Sequence, residues 1–150
     1  MNADVFYDKY IEKDFETEYV PTIFEDICKQ YLIRLNKAGL TEEIFEKIGK
    51  YYYADPVNKK NGEFDIVTYD DNGYIFYESK FRKEAVTETI IKHEIEQVNN
   101  TGLVCYKYGF ISRSGFDCEE TEDRILITLE DIYRWDEFIG NKDVNLNVKR

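Results

Sequence analysis

Histidine, cysteine and tryptophan are scarce in this chain, which has one, three and one of them among its 150 residues. The three cysteines, Cys28, Cys105 and Cys118, are odd in number and show no C-x-x-C spacing. Together with the single histidine, His93, they do not form the ligand pattern of a structural zinc site. One histidine without a nucleophile motif also argues against a catalytic triad. We therefore expect reduced, buried thiols in a cytoplasmic protein.

Long apolar runs and several common motifs are missing as well. No apolar stretch approaches the roughly 20 residues that span a bilayer, and no signal peptide opens the chain. The G-x-x-x-x-G-K-[ST] loop of P-loop ATPases does not occur, nor does a helix-turn-helix or zinc-finger pattern. The sequence therefore predicts no membrane span, no ATPase motor within this chain and no sequence-reading DNA module.

Apolar and aromatic residues are plentiful. Hydrophobic residues make up 43% of the chain and aromatic residues 16%, which is too much for a disordered protein. A length of 150 residues is typical of one domain with a proper core. We predict a single domain over residues 1–150, with an acidic N-terminal arm at 1–17 and a polar tail at 141–150.

Acidic residues outnumber basic ones, 31 to 20, so the net charge is −11. This balance argues against a free-standing nucleic-acid binder, because phosphate contacts depend on Lys and Arg. The acids are concentrated, however: residues 1–26 hold eight acids and two lysines, and residues 117–123 hold five acids. Residues 27–60 and 80–92 carry a positive balance. DNA binding is weakened by this distribution, but a small basic rim remains around Lys50, Lys80, Arg82 and Lys83.

Periodicity predicts two main helices and five strands. Thr41–Phe45 is expected to form a short helical turn, and Asp70–Gly73 is a strong hairpin turn. Thr128–Asp131 resembles a capping box that opens a short helix through Trp135. Through the fourth strand the core order is α-β-β-β-α-β, which predicts an α/β fold with a mixed sheet. The predicted helices are Pro21–Lys37 and Val86–Val98, and the predicted strands are Ile48–Tyr53, Glu63–Tyr69, Tyr74–Phe81, Leu103–Ser112 and Arg124–Thr128.

The hairpin formed by the second and third strands carries the most informative residues. Because strand side chains alternate between faces, Glu63 and Asp65 share one face of the first arm, and Glu78 and Lys80 share one face of the second. The opposite faces are suited to a core, since they carry Phe64, Ile66, Ile75 and Tyr77. Carboxylates and a lysine gathered at a strand end are what metal-assisted phosphodiester hydrolysis requires.

Spacing alone leaves a second interpretation of Asp65, Glu78 and Lys80 open. They would then form a solvated strand face with a cross-strand ion pair, worth under about 1 kcal/mol. Acids and lysines are common, so a lone Asp…Glu-x-Lys pattern does not decide between the two interpretations.

The ordered set of motifs is more specific. Asp65 followed by Glu78-Ser79-Lys80 resembles the PD-(D/E)XK nuclease superfamily, which has the restriction-endonuclease-like fold and the same α-β-β-β-α-β core order. A closer resemblance is to the nuclease-like domain of unknown function found C-terminal to archaeal-type P-loop ATPases in prokaryotes. That resemblance spans roughly residues 20 to 135 and includes Phe24-Glu25-Asp26-Ile27-Cys28 and Ser112-Arg113-Ser114-Gly115-Phe116. The departure is Ser79, where the family more often has Cys or Ala; we expect its side chain to point away from the site.

The resemblance implies catalytic roles for particular residues. Asp65 and Glu78 would bind Mg²⁺ or Mn²⁺, with the carbonyl oxygen of Ser79 as a third ligand. Lys80 would orient the attacking water and offset charge at phosphorus. Glu25 corresponds to an extra acid near the metal, and a surface glutamate is the alternative interpretation.

Four further residues are secondary candidates. Arg82 and Lys83 follow the motif and would touch backbone phosphate, although ordinary surface charge is the simpler interpretation. Glu63 lies about 7 Å from Asp65 along the strand, where pairing with a nearby lysine is equally compatible. Gln97 lies one turn from His93 on the second helix, which contributes a polar residue to the site in some relatives.

Two functions remain open at this point. The first is a Mg²⁺- or Mn²⁺-dependent deoxyribonuclease domain with DNA as its substrate and a P-loop ATPase as its partner in a larger protein. The second is a nuclease-fold module that binds or regulates the ATPase without hydrolysis. Self-association of the chain stays open in both cases.

Overall fold

A computed structural model describes residues 19–41, 43–55 and 60–135 of the chain. The predicted acidic arm at 1–17 and polar tail at 141–150 lie outside the described residues. None of the described helices is long and apolar enough to cross a membrane. In chain order the elements are α1 (Tyr19–Lys37), β1 (Lys47–Asp55), β2 (Lys60–Asp70), β3 (Gly73–Lys80), β4 (Val86–Thr87), α2 (Glu88–Asn99), β5 (Cys105–Ser112), β6 (Phe116–Asp117), β7 (Arg124–Thr128) and α3, over residues 129–135.

Five of the strands form one mixed sheet in the order β1-β2-β3-β5-β7. β1, β2 and β3 pair antiparallel, whereas β3, β5 and β7 pair parallel. The parallel step from β3 to β5 uses α2 as its crossover, as parallel neighbours require. The predicted mixed sheet and the α-β-β-β-α-β order of its elements through β5 are therefore confirmed.

One face of the sheet is covered by α1. Phe24, Cys28 and Leu32 are spaced four residues apart and are fully buried, so they form one stripe of the helix. They pack against Ile75 and Tyr77, the odd-numbered residues of β3. Each fully buried Phe, Leu or Ile side chain of this cluster contributes about 1.5–3 kcal/mol, so its burial stabilises the packing of α1 on the sheet.

The other face of the sheet is covered by α2. Val98 packs with Phe64 of β2 and Phe76 of β3, and Ile91 packs with Phe110 of β5. The helix begins after Thr87, whose hydroxyl accepts a hydrogen bond from the backbone N–H of Ile90. Phe76 is even-numbered, so the even positions of β3 face α2 and the odd positions face α1.

The predicted hairpin turn and the predicted helix cap are both confirmed, and each is stabilised by side chain–backbone hydrogen bonds. Asp70, although buried, accepts hydrogen bonds from the Asn72 N–H and the Tyr106 hydroxyl. Gly73 has φ +125°, and a Cβ added there would lie only 2.7 Å from the carbonyl oxygen of Val104, so the position requires glycine. At the other end of the sheet Thr128 and Asp131 exchange side chain–backbone hydrogen bonds at 3.2 and 2.8 Å, which is the predicted capping box.

Some predicted boundaries and one predicted turn were wrong. The described residues of 41–45 form bends and coil without a helical turn, because the Asn36 side chain bonds both the N–H and the carbonyl of Phe45 at 3.0 Å. Residues 86–87 are a short strand paired with residues 116–117, which sequence periodicity did not indicate. The fourth predicted strand begins at Cys105, two residues later than predicted.

The thiol prediction holds most clearly for Cys28. All three cysteines are free, with Cys28 fully buried and Cys105 and Cys118 half-buried. Burial, and then the nearby charges of Asp65 and Glu25, raise the pKa of the Cys28 thiol far above its usual range. A thiol held in its protonated form is a weak nucleophile, so Cys28 is a core residue.

Gly109 provides a test of the β3–β5 contact. It lies opposite Tyr77, and a Cβ at Gly109 would lie 2.1 Å from Cδ1 of the buried Tyr77 ring. We expect Gly109→Ala to reduce the free energy of unfolding by about 1–3 kcal/mol through overpacking. Gly49→Ala is the matched control, because nothing lies within 4 Å of its added Cβ. Urea unfolding measures both; equal stability of the two variants would contradict the proposed close contact.

Candidate functional site

Glu78 and Lys80 lie at the C-terminal end of β3, on the face covered by α2. Lys80 Nζ lies 2.9 Å from Glu94 Oε1 of α2 and 3.6 Å from Glu78 Oε2. The exposed fractions of the three side chains are only 18% for Lys80 and 14% for each glutamate. An ion pair is therefore present, but it joins a strand to a helix and is largely buried. The interpretation of these residues as a solvated strand face was wrong.

Glu78 is short of compensating positive charge. Burial raises the pKa of Glu78 to about 8, assisted by the negative charges of Asp65 and Glu94. The charge of Lys80 and a hydrogen bond from the Asp65 N–H lower that pKa without cancelling the rise. A pKa raised this far is unusual for a glutamate, and perturbed groups of this kind are typical of functional sites.

Lys80 remains charged despite its burial. Burial alone would lower the pKa of Lys80, but the hydrogen bond to Glu94 and the charges of Glu94, Glu78 and Asp65 raise it above its ordinary value. The site thus contains a stable ammonium group next to an acid that carries a proton more readily than usual. Both are properties of a charge cluster in a poorly solvated place.

Asp65 is displaced by a bulge in β2. The β1–β2 register passes from Gly49↔Val67 to Tyr51↔Phe64, so β2 contains one more residue than β1 over this interval. The bulge explains why Phe64 packs on the α2 face, whereas Ile66 packs on the α1 face. The expectation that Phe64 and Ile66 share one face was wrong for this reason.

The Asp65 carboxylate is held by Ser79. Its Oδ2 accepts hydrogen bonds from the backbone N–H of Ser79 at 3.1 Å and from the Ser79 hydroxyl at 3.0 Å. Ser79 is an odd-numbered β3 residue and so belongs to the α1 side, opposite Glu78 and Lys80. The expectation that the Ser79 side chain points away from the site was wrong, because the bulge turns Asp65 toward it.

The two carboxylates are nevertheless linked through the backbone. Glu78 Oε1 accepts a hydrogen bond from the Asp65 N–H at 3.4 Å, and Asp65 contributes to the raised pKa of Glu78. The oxygen donors and the uncompensated negative charge fit a hard divalent cation such as Mg²⁺ or Mn²⁺. Among the described residues no three His, Cys, Asp or Glu side chains form a group that could hold a metal. Asp65 and Glu78 are thus two carboxyl groups joined by one backbone hydrogen bond, without a third such ligand beside them in the described part of the chain.

Glu25 and Glu63 are engaged by one lysine. Lys50 Nζ lies 2.5 Å from Glu25 Oε1 and 3.3 Å from Glu63 Oε1. The hydrogen bond to Glu25 raises the pKa of Lys50 well above its usual range, with smaller contributions from Glu63. Lys50 thus bridges α1, β1 and β2 on the α1 side of the sheet. The predicted lysine partner of Glu63 is Lys50.

The segment after the motif is fastened by the Ser112–Phe116 turn. The Arg113 N–H donates to the Lys80 carbonyl at 3.0 Å, and the Ser114 hydroxyl donates to the Arg82 carbonyl. The Arg113 guanidinium lies over the Phe81 ring, 4.9 Å from its centroid. Arg82 and Lys83 are exposed beside this turn, with Arg82 weakly paired to Glu84 at 3.9 Å.

On α2 the residue that reaches the site is Glu94. Gln97, the sequence candidate, lies 3.3 Å from the ring of His93, and both belong to the outer part of the helix surface. Glu94 was missed, although its position three residues after the buried Ile91 places it beside the apolar stripe. This spacing from Ile91 is the sequence signal that could have identified Glu94 as a candidate.

Comparison with known proteins gives three findings. A model of the DUF234 family, described as archaeal and bacterial proteins of unknown function, matches residues 1–98. The uncharacterised protein MJECL04 of Methanocaldococcus jannaschii is 28% identical over 136 residues, which are 87% of this chain and 29% of the relative. The chain therefore spans under a third of the length of that curated relative. The DNA modification-dependent restriction endonuclease AspBHI aligns with a TM-score of 0.46 at 16% identity, over 91% of this chain and 34% of that chain.

The raised pKa of Glu78 predicts how stability depends on pH. Because this pKa is higher in the folded chain than in the unfolded chain, its stabilising contribution is complete below about pH 4.5 and is lost as pH rises through about 8. We expect metal-free wild type to lose roughly 2–5 kcal/mol of unfolding free energy from this group between those limits, at about 1.4 kcal/mol per pKa unit.

Glu78→Gln removes this dependence, so it should unfold at a higher temperature than wild type at alkaline pH, with the gap closing toward pH 5. Glu96→Gln is the control, since Glu96 is an exposed acid of the same helix that carries Glu94. Thermal unfolding followed by circular dichroism with a chelator present measures all three proteins. Parallel pH profiles for wild type and Glu78→Gln would refute the assigned burial of charge.

Proposed function

The chain belongs to the DUF234 family, and we propose that it is a divalent-metal-dependent nuclease domain that hydrolyses DNA phosphodiester bonds. The observation that carries this proposal is the buried Glu78–Lys80–Glu94 cluster beside Asp65. Charged side chains are rarely retained at such a place for stability alone, since their desolvation offsets most of the attraction between them. A site that binds a cation and a phosphate uses both signs of charge.

Each residue has a separate task in the proposed reaction. Asp65 and Glu78 would hold Mg²⁺ or Mn²⁺ through carboxylate oxygens, with the Ser79 carbonyl as a third donor. The bound ion supplies Lewis-acid polarisation of the phosphoryl group. Lys80 orients the attacking water by hydrogen bonding and places a positive charge against the developing charge on the phosphoryl oxygens. Glu78 must release its proton to take its part, so protonation competes with metal binding.

DNA is the proposed polymer because the nuclease resemblance and the neighbouring basic residues both agree with it. Arg82 and Lys83 follow Lys80 directly and are exposed, which suits contacts to backbone phosphate. We further propose that the domain is accessory to a P-loop ATPase in a larger protein. That arrangement would supply a partner for an acidic domain that binds DNA weakly by itself.

A specific observation favours a second candidate, a non-catalytic module that binds or regulates the ATPase. The Asp65 carboxylate is engaged by Ser79 on the α1 side, whereas Glu78 lies on the α2 side. Ser79 engages only Oδ2 of Asp65, so metal binding by both acids requires the other oxygen, Oδ1, to turn toward Glu78. A domain in which Oδ1 never does so would retain the fold without the hydrolysis.

Two substitutions separate the roles within the proposed reaction. Asp65→Ala removes a metal ligand, so we expect weaker Mn²⁺ binding and loss of cleavage. Lys80→Ala leaves both carboxylates, so Mn²⁺ should bind at least as tightly as in wild type while cleavage falls by about 10²–10³-fold. Titration calorimetry with Mn²⁺ and plasmid cleavage measure the two effects.

The matched control for Lys80→Ala is Lys92→Ala, which removes an exposed lysine of α2. We expect its Mn²⁺ binding and cleavage to equal those of wild type. Full cleavage by Lys80→Ala would exclude the proposed nuclease site. A wild-type protein that neither binds Mn²⁺ nor cleaves plasmid would favour the regulatory module.

The net charge predicts how DNA binding by the isolated domain depends on salt. With a net charge of −11, binding to duplex DNA should be detectable at low ionic strength and lost near about 0.15 M salt, where the screening length is about 8 Å. Fluorescence anisotropy with a labelled duplex measures this, and Arg82→Ala with Lys83→Ala should remove most of the low-salt binding. Tight binding that does not respond to salt would contradict an electrostatic contact.

A further inference from the structure

Within the described part of the chain, the groups that hold the Lys80 ammonium are the side-chain carboxyl groups of Glu94 and Glu78. Its ammonium lies 2.9 Å from Glu94 and 3.6 Å from Glu78, so the contact to Glu94 is the hydrogen bond and the contact to Glu78 is a longer ion pair. The other polar group expected near it is the Ser112 hydroxyl, since Ser112 pairs with Lys80 across β3 and β5. That hydroxyl is buried and makes no hydrogen bond with any described residue.

Other acids of α2 do not have this relation to Lys80. Glu88 is paired with Arg124 through contacts of 2.9 and 2.6 Å, and Glu96 is exposed. Glu94, with 14% of its side chain exposed, is the α2 acid that contacts β3. It is also held on the helix that packs on this face through Ile91 and Val98, so its position is set by the core.

We propose that Glu94 is a positioning residue for Lys80, which deepens and rests on the proposed nuclease function. Glu94 keeps the ammonium beside Glu78 without requiring Glu78 as its hydrogen-bond acceptor. The Glu78 oxygens thereby stay available to a cation while Lys80 stays within reach of the phosphoryl group. Glu94 itself contacts neither.

The pairing explains why a buried glutamate occurs on α2. Without Glu94, Lys80 would have Glu78 as its remaining carboxylate partner at 3.6 Å and would move toward it. A lysine on a flexible stem then competes with the metal for the same oxygens and loses its fixed direction. Partners of this kind commonly change activity by 10–100-fold when removed, although they do not touch the reacting atoms.

The first test measures Lys80 itself and needs no nuclease activity. Metal-free protein is treated briefly with N-hydroxysuccinimidyl acetate, and mass spectrometry compares acetylation of Lys80 with that of the exposed Lys92 in the same molecule. In wild type we expect Lys80 to react more slowly than Lys92. Glu94→Gln should accelerate the Lys80 reaction about tenfold, because the charged acceptor is lost.

Two further variants serve as controls in this experiment. Glu96→Gln removes one acid from the same helix without touching Lys80, and its Lys80 rate should equal that of wild type. Glu94→Asp keeps the negative charge on a side chain one methylene shorter, so we expect an intermediate Lys80 rate. Circular dichroism shows whether Glu94→Gln folds, and Glu94→Asp replaces it if it does not. A Lys80 rate in Glu94→Gln or Glu94→Asp that equals the wild-type rate overturns the proposal.

The second test uses Mn²⁺-dependent cleavage. Glu94→Gln should lower kcat by about 10–100-fold and leave the KM for DNA unchanged, because DNA contacts lie elsewhere. A rise in KM at constant kcat would mean that Glu94 acts on DNA binding and would overturn its role through Lys80. If wild type does not cleave DNA, the nuclease proposal fails by itself, and the acetylation rates still decide whether Glu94 positions Lys80.

Discussion

Burial of charge at the end of β3 is the constraint on which the rest of the site depends. β3 is the middle strand of five, and α1 and α2 cover its two faces, so positions 78 and 80 lie among protein atoms. Solvent cannot compensate charges there, and each must be matched by a neighbour or removed by a proton. Lys80 is matched by Glu94, whereas Glu78 is left with a raised pKa. The shortage of positive charge is what makes this strand end chemically distinct from the rest of the sheet.

The bulge in β2 sets a second constraint. Ile66 and Tyr77 are paired and both pack on the α1 side, so regular alternation would place Asp65 with Glu78 on the α2 side. The extra residue turns Asp65 back to the α1 side, where Ser79 donates two hydrogen bonds to it. The N–H of Asp65 then points to Glu78. The bulge therefore directs the Asp65 carboxylate away from Glu78, while the backbone N–H of Asp65 donates a hydrogen bond to Glu78. Bulges commonly redirect a side chain in this way.

Sequence reasoning succeeded where a pattern is local. The α1 stripe, the Asp70–Gly73 turn and the Thr128–Asp131 cap each depend on residues within a few positions of one another, so spacing and side-chain chemistry were sufficient. It failed where a partner is distant in sequence. The pairing of residues 86–87 with 116–117 is an example, and so is the Lys80–Glu94 contact across 14 residues.

The bulge at Asp65 was unpredictable for a related reason. A one-residue register shift arises from the pairing of β2 with β1, and the sequence of β2 alone contains no signal for it. The candidate site at the hairpin could nevertheless be proposed from the sequence, because Glu78-x-Lys80 is a local pattern at a strand end.

Ion pairs within the domain reduce the positive charge that its basic rim can offer to DNA. Lys50 is shared by Glu25 and Glu63, and Lys80 is held by Glu94, so neither contributes a mobile positive charge at the surface. The basic rim beside the motif is reduced to Arg82 and Lys83. Electrostatic attraction of a phosphate backbone then depends on cations added to the domain, which are a metal ion at the carboxylates or the basic surface of a partner. The small basic surface would thus be the common cause of two proposed properties, weak DNA affinity in isolation and a requirement for metal.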